Sequence, residues 1–389
     1  MEVFFVCTVG AIVGLVIYVF QVYAVSRQME SYRHIVQGRT SFSRHFCPPV
    51  SILKPLKGLD DNLFDNLASF CNLDYPQYEV IFALQDYNDP AYRVACMVKQ
   101  KHPQCDISIV TQRCEIGLNP KVNNLVPAYR ISKYPFFLIS DSNVQVEKNY
   151  LKDIVSIMSD AEVGLVCNMI RGINGRSFGS ILENLHMNSF VVGSVCMLSR
   201  FLNMPCVIGK SMLMRKSDFE EVGGFSAVKD VLAEDYLLGR LLYESGKKVE
   251  ISNHLINNVN EFWSIKRFIN RHTRWGKLRW KISGFYYIFE LLANPIFLSI
   301  VPLLFWEVNR LTITCAMLVS CFKIAGDYIQ SRMIGGSIKA SHYFWVPLKD
   351  LLIGLIWFVP LFSRKVVWRG NKYIIGKESR LSPYSESRI

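Results

Sequence analysis

Apolar residues crowd the two ends of this 389-residue chain and thin out in its middle, and that unevenness constrains the fold more than any other feature. From Val3 to Val25 only Thr8 and Gln21 interrupt the run, and about 20 helical residues suffice to cross the ~30 Å hydrocarbon layer. Glu2 precedes the run, while Arg27, Arg33, His34, Arg39 and Arg44 follow it. A cleavable signal would carry its positive charge first and end on small residues. The reversed order predicts an uncleaved anchor with the N-terminus outside and the following domain in the cytoplasm.

Three further apolar stretches lie near the other end: Phe285–Glu307, Leu311–Tyr328 and Tyr343–Phe362. The first holds Glu290, Pro295 and Pro302, and the third holds Pro347, Asp350 and Pro360. The second carries Lys323 and Asp327 four apart, a spacing that lets them pair on one helical face. Three full crossings would leave Arg364, Lys365, Arg369, Lys372 and Lys377 outside, against the charge rule. Either one stretch is re-entrant or interfacial, or the rule fails. Phe262–Ser283 interleaves tryptophans with Lys266, Arg267, Arg271, Arg274, Lys277, Arg279 and Lys281. That pattern suits a helix in the headgroup layer, and equally an amphipathic helix packed on the domain.

The net charge of +12 gathers beside the apolar stretches and in the tail. It fits anionic headgroups, and no nucleic-acid partner is expected because the middle of the chain lacks a basic stripe. Eleven cysteines are scattered singly without a CxxC pair or a histidine cluster, which predicts reduced thiols.

The middle of the chain alternates apolar strands with helical stretches. Strands are expected at PVSIL (49–53), Tyr78–Leu84, Ile107–Thr111, Phe136–Ser140 and Val163–Met169. Continuous apolar strands separated by helices indicate an α/β fold whose mostly parallel sheet is covered on both faces. Ligands bind at the carboxyl ends of such strands, where Asp86, Asp89 and Asp141 stand.

Asp141-Ser142-Asn143 closes a strand, so Asp141 is placed to meet a divalent cation on a diphosphate. The same residue types also suit a plain turn. Glu234-Asp235 opens a helix, and Asp235 is a candidate general base as well as a candidate first-turn acid. Gly223-Gly224-Phe225 reads as a flexible loop. Arg271 and Arg274 share a helical face beside Trp275, an arrangement able to clamp a leaving diphosphate.

Taken in order, QDYNDPA, NPKVNNL, DSN, AEDY and RHTRW, with an anchor before and apolar stretches after, resemble the family-2-like inverting glycosyltransferases of GT-A fold. PVSILKPLKG and GKSMLMRK extend the likeness, which is greatest to ceramide glucosyltransferases and bacterial hopanoid glycosyltransferases. The resemblance implies that Asp89 contacts the nucleotide, that Lys121 lies near it, and that Asp141 is linked to Mg2+ or Mn2+. Asn143 stands where a second acid would be. It further implies Asp235 as catalytic base, Arg271, Arg274 and Trp275 as the element holding diphosphate and acceptor, and Cys206 as an active-site cysteine. Animal members carry a histidine about fourteen residues before that cysteine, where this chain has Val192 and, further back, His186.

The expected organisation is an anchor over 1–26, a basic linker over 27–48, a cytosolic GT-A domain over 49–260 and a basic aromatic helix over 261–284. Transmembrane or re-entrant helices over 285–363 and a basic cytosolic tail over 364–389 complete it. The expected reaction moves glucose from UDP-glucose to ceramide at the bilayer. The rival readings are a hopanoid acceptor with a donor such as UDP-N-acetylglucosamine, a processive polysaccharide synthase, and a non-catalytic membrane scaffold.

Overall fold

The computed structural model describes residues 2–36, 46–202, 204, 206–305, 308–368 and 370–384. Arg39 and Arg44 of the basic linker, Glu307, Arg369 and the last five residues lie outside the described residues. The chain divides into two compact units. One comprises Glu30–Arg171 and Phe201–Val259; the other comprises Met1–Met29, Gly172–Arg200 and Asn260–Ile389. The continuous domain expected over 49–260 is thus interrupted by Gly172–Arg200, which clusters with the apolar helices.

The first unit is built on an eight-stranded sheet: β1 (Val50–Pro55), β2 (Tyr78–Leu84), β3 (Asp106–Thr111), β4 (Phe136–Ser140), β5 (Val144–Gln145), β6 (Val163–Ile173), β7 (Ser211–Arg215) and β8 (Lys248–Val259). Their spatial order is β3-β2-β1-β4-β7-β6-β8-β5. The first four run parallel, with Leu53 opposite both Ile81 and Ile139. β1, β2 and β4 are buried along nearly their whole length, as continuous apolar runs require when both faces are covered. β7 then enters antiparallel, pairing with β4 on one side and β6 on the other. This mixed sheet with flanking helices is the GT-A class expected from the sequence. The Gly223-Gly224 pair is a sharper device than a flexible loop. Both residues adopt left-handed backbone, φ 92° and 55°, and turn the chain directly into the helix Gly224–Val228.

In the second unit, four helical segments among the described residues are long and apolar enough to cross a membrane: Phe4–Ser31, Phe178–Leu202, Arg310–Met333 and Ala340–Phe362. Ile265–Ala293 and Pro295–Phe305 make a fifth only as a pair, bent by 78°. The stretch expected over Phe285–Glu307 is therefore a 3-10 segment, Gly284–Ala293, followed by the helix Pro295–Phe305. Phe178–Leu202 is continuous through a π-helical turn at Met187–Val191. Asn188 braces that turn by exchanging two hydrogen bonds with the backbone of Gly172.

Buried charge ties these helices together. Lys323 meets Asp327 at 2.5 Å, as the four-residue spacing predicts. Lys349 bridges Asp327 and Asp350 at 3.1 and 3.0 Å, and the Tyr18 hydroxyl donates to Asp327 at 2.7 Å. Ions excluded from water persist only when paired in this way. Beyond Phe362 the basic tail folds into a three-stranded antiparallel sheet, Lys365–Trp368, Asn371–Ile375 and Leu381–Pro383. Lys277 anchors it by donating to the Lys365 carbonyl.

Candidate active site

Strand register brings the acids and lysines of the first unit into one crevice. Ser140, the last residue of β4, pairs with Ser211, the first of β7, so Asp141 and Lys210 emerge side by side. Lys210 Nζ lies 2.8 Å from Asp141 Oδ2 and donates to Asn143 Oδ1 at 2.8 Å. On the other flank, β1 runs parallel to β4 and carries Lys54 to the same end. The Lys54 ammonium is fully buried over the Phe70 ring and donates to the Asp141 carbonyl at 2.7 Å. Burial holds its pKa well below the usual lysine range.

Lys121 closes the other side. It opens the helix Pro120–Ile131, whose first turn is capped by the Asn119 side chain accepting from the Lys121 and Val122 amides. Asn119 also donates to the Val231 carbonyl and to Glu234 Oε2, which fastens the NPK turn to the segment before Asp235. Lys121 Nζ reaches three oxygens: Asp141 Oδ1 at 3.0 Å, Glu234 Oε1 at 2.9 Å and the Gly209 carbonyl at 3.0 Å. Burial opposes its charge, but the carboxylates of Asp141, Glu234 and Asp235 outweigh burial and hold it protonated. Burial likewise pushes Asp141 up, and Lys121 and Lys210 overcome it, so Asp141 stays ionised far below the ordinary carboxylate range.

Asp235 behaves in the opposite sense. Burial, and after it the neighbouring Glu234 charge, raise its pKa to about 6 against the pull of Lys121 and the Tyr236 and Gly209 amides. Both amides donate to its carboxylate, at 2.8 and 2.9 Å. Only glycine fits at 209, because a Cβ there would stand 2.5 Å from Asp235 Oδ2. Cys206 precedes this turn; its carbonyl accepts from the Cys167 thiol, and burial lifts its own pKa to about 11.

Three of the sequence-predicted residues therefore converge: Lys121, Asp141 and Asp235. Asp89 has a local role here. It caps the helix Pro90–Lys101 through the Ala91 amide and receives the Gly58 amide at 2.9 Å, locking the loop after β1. Arg271, Arg274 and Trp275 belong to the other unit, on the helix Ile265–Ser283. There the Arg271 guanidinium is neutralised by Glu183 at 3.2 Å and packs over the Trp263 and Trp275 rings, 5.1 and 4.3 Å to their centroids. Arg274 and Trp275 are half-buried. Lys54, Lys210, Gly209 and Glu234 received no role from sequence reasoning.

Among the described residues, no group of three or more His, Cys, Asp or Glu is arranged to hold a metal ion. The donors near Asp141 are largely engaged: the Ser142 hydroxyl donates to Asp60, and the Asn143 amide oxygen accepts from Lys210. One ionised carboxylate at a crevice suits a hard cation that arrives on a diphosphate and takes a single protein ligand. The residues present fit that arrangement, and they do not form a cage made by the protein alone.

The sequence profile of glycosyl transferase family 21 matches residues 6–381. Ceramide glucosyltransferase 3 of Caenorhabditis elegans is 28% identical over 392 residues, covering 97% of this chain and 83% of its own. Ceramide glucosyltransferase 1 of the same organism is 28% identical over 355 residues, covering 88% and 74%. Among solved structures, the mannosyltransferase PcManGT from Pyrobaculum calidifontis, in complex with GDP-Man and Mn2+, aligns over 90% of this chain and 97% of its own. Its TM-score is 0.50 at 12% identity, a likeness of fold. With a profile spanning nearly its whole length and a GT-A sheet ending in an acid-and-lysine crevice, the chain belongs to glycosyl transferase family 21, the family of the ceramide glucosyltransferases, and is a hexosyltransferase.

Proposed function

We propose that this enzyme transfers glucose from UDP-glucose to a hydroxyl of ceramide by single displacement with inversion. The observation that carries the reading is the Asp235 carboxylate, raised to about 6 against the pull of Lys121 yet held in place by two backbone amides. A base with a pKa near the working pH combines an adequate ionised fraction with adequate proton affinity. The acceptor oxygen attacks the anomeric carbon, the bond from that carbon to the diphosphate breaks, and Asp235 takes the acceptor proton as UDP leaves.

Lys121 and Lys210 supply positive charge where the diphosphate gains negative charge, and both can turn from Asp141 to phosphate oxygens. Asp141 would hold a divalent cation on that diphosphate, and such a cation neutralises developing charge as a Lewis acid. Asp89 shapes the loop beside the nucleotide, and Arg271, Arg274 and Trp275 serve diphosphate and acceptor. Cys206 lines the acceptor side. The reading also includes an integral, multi-pass membrane protein with a cytosolic catalytic unit and its N-terminus on the opposite side. The apolar helical segments and the basic residues after the first helix support it.

The test is to incubate purified protein in nanodiscs with a panel of UDP-sugars and ceramide, reading the lipid by mass spectrometry and its anomeric proton by NMR. Acceptor-dependent β-glucosylceramide is expected. An α-linked product would overturn inversion, and acceptor-independent polymer would overturn lipid transfer.

A further inference from the structure

The membrane-helix unit contains a cavity that none of the catalytic roles above uses. It is bounded by the helices 178–202, 265–283, 310–333 and 346–357 and by the 3-10 segment 284–293. Three interruptions of regular helix lie at its wall. His186 precedes the π-helical turn and Phe190 lies within it, Tyr287 and Glu290 come from the 3-10 segment, and Asn294 marks the 78° bend. Irregular backbone among membrane helices is tolerated where it lines a cavity, and ionisable groups there mark substrate sites.

The wall has two characters. Phe190, Leu291, Ile353, Ile356 and Trp357 make it apolar on one side, with Tyr287 stacked on Trp357 at 5.3 Å. Its charges, by contrast, are already matched. Arg279 pairs with Glu290 at 2.7 Å, His272 with Glu183 at 2.9 Å, and Lys323 and Asp350 belong to the network with Asp327 and Lys349. No surplus positive charge remains at the wall for an anionic headgroup.

Two lining residues, His186 and Asp350, each keep a buried polar atom without a hydrogen-bond partner, and that of Asp350 lies 3.7 Å from Lys323 Nζ. His186 is 4% exposed, its ring stacks on Phe190 and meets His272 edge-on at 4.6 Å, and its Nδ1 is buried without a hydrogen-bond partner. A buried nitrogen without a partner is rare in a folded protein and points to a group that binds there.

We infer that this cavity receives the neutral headgroup of the acceptor lipid, with His186 hydrogen-bonding a headgroup hydroxyl or amide and the aromatic wall meeting the first methylenes of its chains. The inference rests on the lipid-transfer reading above and adds to it a site that selects uncharged amphiphiles. His186 binds the lipid and takes no part in the proton transfer.

The experiment uses the full chain in nanodiscs with photoactivatable ceramide and photoactivatable phosphatidylserine, followed by peptide mapping. Ceramide should label peptides containing residues 183–190 and 349–357, unlabelled ceramide should compete, and phosphatidylserine should not label them. Ile353→Trp, which fills the cavity, should cut that labelling about tenfold, and His186→Leu should raise the acceptor KM about tenfold. His186→Gln should recover most of the loss, and the KM for UDP-glucose should stay within about twofold in all three. Labelling confined to other segments, equal labelling by phosphatidylserine, or unchanged acceptor KM in both disruptive variants overturns the inference. If the wild type labels at the cavity yet makes no glucosylceramide, the reaction assignment fails and the pocket stands. If all variants transfer like the wild type, the pocket fails and the reaction stands.

Discussion

Replacing Glu234 by glutamine tests whether Asp235 is poised by its surroundings. Glu234 is nearly buried, its Oε1 lies 2.9 Å from Lys121 Nζ, and its charge is, after burial, the main reason Asp235 is raised to about 6. Two like charges several ångströms apart at an effective dielectric of about 20 repel by a few kcal/mol, on the order of 2 pH units. Lys121 offsets part of that repulsion and Asp235 is only partly buried, so about half of that figure is the better expectation. Glu234→Gln also frees Lys121 to favour ionised Asp235, which acts in the same direction. The acid limb of kcat/KM, which reports the free enzyme, should therefore move from about pH 6 to about pH 5. The assay is UDP release with subsaturating ceramide between about pH 4 and pH 8. The sign is definite: a base must be ionised, so activity falls as pH drops through its pKa, and lowering the pKa extends activity to more acidic solution. An acid limb that stays in place or moves upward would refute the electrostatic account of Asp235.

Other substitutions probe the supports around it. Asp141→Ala should weaken UDP-glucose binding by about tenfold or more in calorimetry with Mg2+, and unchanged affinity would reduce Asp141 to a turn residue. Gly209→Ala places a Cβ 2.5 Å from Asp235 Oδ2 and should lower kcat about a hundredfold while UDP still binds; wild-type turnover would show that the carboxylate tolerates displacement. Asp89→Ala removes a helix cap and the Gly58 amide's acceptor and should cost about 1–2 kcal/mol in denaturant unfolding. No change in midpoint would mean that its bonds to the loop and helix add nothing to stability.

Much of the sheet was legible because β1, β2 and β4 are dominated by apolar residues, and a stretch of that kind has few other solutions in an α/β domain. Asp141, Asp235 and Lys121 were legible as motif residues at element ends. Lys210 and Lys54 were not, although both lie inside quoted motifs. A lysine at a strand end reads as solvated, and only the register of Ser140 against Ser211 and of Leu53 against Ile139 shows that each meets Asp141. Glu234 was visible only as the neighbour of Asp235, since its contacts with Lys121 and Asn119 are long-range. The segment Phe178–Leu202 does not stand out in the sequence because Asn184, His186, Asn188 and Ser189 dilute its hydropathy. Those polar groups are buried among helices and partly braced by distant backbone, which periodicity alone does not reveal.

The central claim is that Asp235 takes the proton of a lipid hydroxyl during sugar transfer. The most direct measurement is single-turnover formation of glucosylceramide by Asp235→Asn, with UDP affinity measured on the same preparation. Asparagine keeps the shape and its single oxygen can still accept from one of the two amides, Gly209 or Tyr236, but it turns an NH2 toward the other and cannot take a proton. The account predicts UDP binding close to wild type and a transfer rate reduced about 10²–10⁴-fold. Transfer near the wild-type rate, with UDP binding intact, would contradict it.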